Sequence, residues 1–124
     1  AAIMTDSSLP SNAIDMRNNI IYPSANTSYL GGSVGIDASD GTFSNNLWFG
    51  VSVYGSAPSF DTTKITTDPL FVSVGTDFHL QAASPAIDHG TATNVSAIVT
   101  DDYDMTASRP QGSAYDIGAF EYTP

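Results

Sequence analysis

Two groups of residues in this 124-residue chain carry the chemistry worth pursuing. Asp101, Asp102 and Asp104 crowd three carboxylates into one short run, and oxygen-rich clusters of that kind are what calcium accepts. The spacing is not that of an EF-hand, so a solvated acidic loop is the competing reading, and Asp37 and Asp40 form a still sparser pair. No cofactor is expected, and calcium at this run is the one candidate weighed against that. Trp48, Tyr54 and Tyr29 form the second group, set among many Asn, Ser and Thr residues. Aromatic faces stack on pyranose rings while amides and hydroxyls meet ring hydroxyls, so these three are the candidate carbohydrate-binding residues. Burial in the core is the competing reading for Trp48, because large aromatics are more often packed than displayed.

Catalysis by this chain itself is not expected. There is no cysteine, and no glycine-rich phosphate loop precedes a helix. Abundant Asp makes a pair of carboxylates at glycosidase spacing easy to find by accident. A lyase acting on uronates needs a base plus cations to neutralise the substrate carboxylate. The chain offers only Arg17, Lys64 and Arg109, and the last is expected in an internal ion pair with Asp88, Asp104 or Asp116. His79, flanked by Phe78 and Leu80, and His89, before Gly90, have no further ligands at recognisable spacing, so neither is read as a metal ligand.

Thirteen acidic residues against three basic ones give a net charge of -10, which repels a phosphate backbone and an anionic membrane; neither is an expected partner. A hydrophobic content of 41% argues for a packed core, and 124 residues suit one domain. The elements that must position the candidates are strands and turns, since Gly, Pro, Asn, Asp and Ser interrupt nearly every stretch long enough for a helix. β-prone runs cover 13–22, 33–36, 42–49, 51–54, 70–74, 78–80, 95–99 and 119–122. One pattern occurs twice. Met16, Arg17, Asn18, Asn19, Ile20, Ile21, Tyr22 matches Phe43, Ser44, Asn45, Asn46, Leu47, Trp48, Phe49, at an offset of 45 minus 18, or 27 residues. Periods of that size mark solenoids and propellers.

Asn tolerates left-handed backbone, so Asn18 and Asn45 are expected at equivalent bends with their amides in hydrogen-bond reach of each other. The apolar residue before each Asn pair, Met16 or Phe43, should point into a core that the next strand re-enters through Ile20 or Leu47. A right-handed parallel β-helix fits this pattern; a two-sheet sandwich is its rival. A stack needs roughly three or more repeats, so its first strand is expected to be open and to pair with upstream β-helix coils or another chain.

From Asp68 onward the chain carries Asp68, Pro69, Leu70, Phe71, then Asp77, Phe78, His79, Leu80, then Ser84, Pro85, Ala86, Ile87, Asp88, His89, Gly90. Later come Asp104, Arg109, Pro110, Gln111, Gly112 and the run from Tyr115 to Tyr122. This order resembles the closing segment of secreted bacterial right-handed parallel β-helix proteins, a group that includes polysaccharide lyase-like and glycan-binding chains. The resemblance implies an all-β parallel β-helix with coils over 1–67 and a final coil and C-terminal cap over 68–124. It also implies secretion. Together with the negative charge, it implies a non-catalytic carbohydrate-binding module for a neutral plant cell-wall polysaccharide, xylan in particular. The alternatives are the end of a β-helix lyase or glycoside hydrolase whose catalytic residues lie upstream, or a structural cap without a ligand.

Overall fold

The computed structural model describes residues 12–22, 38–50 and 57–124. Among these the protein is all-β, built from short strands and turns without a helix. Strands β1 (Ile14–Arg17) and β3 (Gly41–Ser44) pair in parallel with Ile14 opposite Gly41. Strands β2 (Ile20–Ile21) and β4 (Leu47–Trp48) pair in parallel with Ile20 opposite Leu47. Both registers equal the sequence repeat, since 41 minus 14 and 47 minus 20 are each 27. A third level follows at Ile65, which bridges Leu47 in parallel, accepts from the Trp48 amide and donates to the Asn46 carbonyl.

Between the strands of each level sits an Asn in the left-handed region, Asn18 at φ 56° and Asn45 at φ 54°. A short amide side chain lowers the cost of that conformation, which explains why the bend falls there. The bend also shifts the side-chain alternation. A straight strand would put Met16 and Ile20 on one face, but Met16 packs instead with Ile21 and Trp48. Ile20 and Leu47 lie in a separate cluster with Phe71, Leu80, Ala86 and Ile117. The expected column of Ile20 and Leu47 does pair in register and enter a core, but not the one that Met16 joins, because a left-handed residue breaks the period of two. The amide contact moves likewise: Asn18 and Asn45 do not bond each other, and the ladder joins Asn19 to Asn46, whose Oδ1 accepts from the Asn19 side chain at 3.1 Å.

Leu47 is fully buried and Ile20 partly so because residues 68–124 cover that flank. A hairpin of β5 (Phe71–Ser73) and β6 (Asp77–Leu80) supplies Phe71 and Leu80. The strap from His89 to Thr91 then runs along both levels: Asn45 Nδ2 donates to the His89 carbonyl, and Asn18 exchanges two hydrogen bonds with the Thr91 backbone. Gly90 is needed there because a Cβ would meet the Tyr115 carbonyl oxygen at 2.7 Å. The closing segment is thus a lateral cover that reaches the first level as well as the last.

Little of this cover is regular strand. Residues 95–99 form turns, with the Val95, Ser96, Ile98 and Val99 amides donating to carbonyls at 92 and 95. Residues 119–122 are irregular. Local pairing overrides β propensity in both runs. In place of a ladder, buried carboxylates collect backbone amides: Asp116 accepts from the Asp88 and Tyr122 amides, and Glu121 from those of Gln111 and Asp116. Arg109 is internal as expected, but its partner is Glu121, Nε to Oε1 at 2.7 Å, while Nη2 donates to the Asp116 carbonyl. Burial pushes the Asp116 carboxyl above its usual range, against the two amides that favour its charge.

Candidate functional site

The three carboxylates proposed for calcium do not converge. Asp102 is buried and caps its own turn, accepting from the Thr106 and Ala107 amides. Asp101 takes the Thr100 hydroxyl, and Asp104 turns outward to His79 Nε2 at 3.3 Å. One oxygen of each carboxylate is engaged by a different group, so this geometry does not gather Asp101, Asp102 and Asp104 as one ligand set. No group of three metal-ligating side chains occurs among the described residues.

Trp48 does not present a stacking face. It is 2% exposed, packs on Ile21 and Met16, and donates Nε1 to Asp61 Oδ2 at 3.0 Å. An in-register position opposite Ile21 dictates this, so the reading of Trp48 as a sugar-stacking residue is corrected to core. Tyr29 and Tyr54 lie outside the described residues, as does Asp37. So does the run from Gly31 to Gly35, which spells glycine-x-serine-x-glycine.

The aromatics that do gather at the surface are others. A groove of about 520 Å³ opens between the first level, the β5–β6 hairpin and the closing segment, lined by Ile20, Phe71, Phe78, Tyr103 and Phe120. Its rings form two edge-to-face pairs, Phe71 with Phe78 at 5.2 Å and Tyr103 with Phe120 at 5.6 Å. Phe78 is 47% and Tyr103 75% exposed. Tyr22 extends the aromatic surface, its ring 6.2 Å from Phe71 and 5.5 Å from Phe49 on the next level. Gly118 (φ 113°) lets the closing segment approach, since a Cβ there would meet Ile20 Cδ1 at 2.9 Å. Its amide donates to the Asn18 carbonyl, anchoring the neighbouring Phe120 beside the first level.

His79 braces this groove. Its ring lies 4.1 Å from Phe120, with Nδ1 2.7 Å from Asp77 Oδ1 on its own strand and Nε2 facing Asp104 on the loop that carries Tyr103. The hydrogen bond to Asp77, foremost, holds the imidazole above its usual pKa of 6.5 against the opposing effect of burial, with the Asp77 and Asp104 charges adding to it. The His79 backbone amide, which donates to Asp77 Oδ1 at 3.0 Å, and then the imidazole hold the Asp77 carboxyl below its usual range. Asp77 and His79 stand two apart on a strand, a spacing that puts both on one face and could have found this pair from the sequence, although it was not read there. Tyr103, an aromatic inside an acidic loop, was missed by the sequence reading, and nothing in the sequence joins it to Phe78 or Phe120.

No protein-family model, curated protein or solved structure matches this chain. The reading of function therefore rests on the groove, the charge and the repeat.

Proposed function

We propose that the chain is the closing end of a secreted right-handed parallel β-helix and that it binds a neutral plant cell-wall polysaccharide, xylan first among candidates, without catalysis. The observation that carries the binding is the groove, where exposed Phe78, Tyr103 and partly exposed Phe120 offer rings to a sugar beside the amides of Asn18 and Asn19. A net charge of -10 disfavours polyuronates there. The β-helix reading is supported by parallel pairing at a 27-residue register, continued in parallel at Ile65.

Affinity electrophoresis in gels containing xylan, glucan or mannan tests the binding. Retention by xylan should be lost on Tyr103→Ala while the melting temperature holds, because a ring so exposed contributes little to folding. If the parent chain is retained by none of the three polymers, the binding reading fails and the closing segment is a structural cover.

A further inference from the structure

The side chains that run along the parallel levels have a direction. Asn19 donates from both its backbone amide, at 3.0 Å, and Nδ2, at 3.1 Å, to Asn46 Oδ1. Asn46 Nδ2 donates onward to Asp61 Oδ2 at 2.9 Å, and to the Met16 carbonyl. Asp61 is fully buried and takes the Trp48 indole N–H on the same oxygen. A carboxylate accepts and does not pass a hydrogen on, so Asp61 ends the series. At the other end the Asn19 Oδ1 has no donor among the described residues, although every other polar atom of that amide series is engaged.

The backbone repeats this asymmetry. Leu47 and Phe49 donate to the Asn19 and Ile21 carbonyls, which in a parallel ladder turns the N–H and C=O of Ile20 away from β4. The edge of β2 away from β4, unpaired among the described residues, therefore presents one donor and one acceptor from the backbone and one amide oxygen that seeks donors. A second copy of this chain meets that requirement poorly. Edge to edge, two Asn19 oxygens would face each other; end to end, the Asp61 carboxylate would face Asn19 Oδ1. Either pairing also opposes two charges of -10.

We propose that this edge receives an extended strand in parallel register that places a carboxamide over Asn19, donating to its Oδ1 from backbone N–H and Nδ2 as Asn19 itself does to Asn46. The occupant is thus a further copy of the same repeat, recognised by its Asn and not by its apolar residues alone. The inference rests on the parallel-stack part of the proposed function; Asn19 and Ile20 also line the groove, so a strand there would narrow the sugar site, and amide exchange reads the strand separately from polysaccharide retention.

The test inserts a second copy of residues 14–40 directly before Ile14 in the full chain and follows amide hydrogen exchange by NMR. The Ile20 amide should exchange at least about tenfold more slowly than in the parent. A companion insert, whose copy of Asn19 is replaced by leucine, should lose that slowing while the Leu47 amide stays protected in both. An unchanged Ile20 rate with Leu47 protected overturns the proposal, and so does equal slowing by the leucine insert. If either insert unfolds the domain, the 27-residue copy is added as a free peptide to the parent chain, with the same two amides read and the same outcomes deciding. Sedimentation of the parent chain should show a monomer; a dimer abolished by Asn19→Leu would make a second copy the occupant and overturn the choice made here.

Discussion

The repeat levels and the closing segment solve one problem in two ways. In the levels, strands of two to four residues satisfy their backbone groups by parallel pairing, and the bends between them need only Asn. In the closing segment the chain is largely irregular, and side-chain carboxylates take the amides that a ladder would otherwise take: Asp88 takes the Ala114 amide, Asp102 takes two, Asp116 two and Glu121 two. Regular pairing is indifferent to most side chains, so the levels tolerate Met against Phe and Ile against Trp in register. Irregular backbone relies on particular acids at particular positions. Sequence motifs therefore concentrate where regular structure is thinnest.

The largest way to break the comparison is at Glu121. Glu121→Ala leaves the Arg109 guanidinium buried without its carboxylate and frees two backbone amides, and should cost about 3–5 kcal/mol in urea melts. If that cost fell below about 1 kcal/mol, the closing segment would not depend on its acids. Leu47, fully buried where the two regions meet, comes next. Leu47→Ala should cost about 2–5 kcal/mol, and hydrogen exchange should show the β5–β6 hairpin loosening with it.

Asn46 and Asn19 sharpen the comparison within the levels. Asn46→Ala strands the Met16 carbonyl and removes a donor from buried Asp61, and should cost about 1–3 kcal/mol; Asn19→Ala, at the exposed end, should cost less than about 1 kcal/mol. Equal costs in parallel melts would mean that the amide series has no direction.

The smallest effect is the pH dependence of the brace. His79 gains its partners in the folded state, so its pKa is raised and its contribution is complete below about pH 6.5, fading as pH rises through the folded value. The imidazolium donates from both nitrogens, to Asp77 and Asp104, whereas the neutral ring donates from one. NMR titration should find the His79 pKa lower in Asp104→Asn than in the parent, with faster amide exchange over 101–106 above that pH. An unchanged His79 titration would remove Asp104 from the brace. Its exposure keeps the effect on global stability small.

By itself the sequence determined the 27-residue register, the left-handed bends at Asn18 and Asn45, and the internal role of Arg109, because spacing, backbone preference and a scarcity of cations are local properties. The same local logic ran out one residue past each bend. Whether Ile20 or Ile21 faces the Met16 side depends on how a left-handed residue rotates the next strand, and composition does not encode that rotation. The aromatic groove lay further out of reach. Phe78, Tyr103 and Phe120 meet only because Asn18, Asn45 and Leu47 hold the closing segment against the flank of the levels. Trp48, the most conspicuous aromatic in the sequence, is removed from the surface by pairing in register with Ile21. Side-chain type is written in the sequence, but which face is covered is decided by packing between segments distant along the chain.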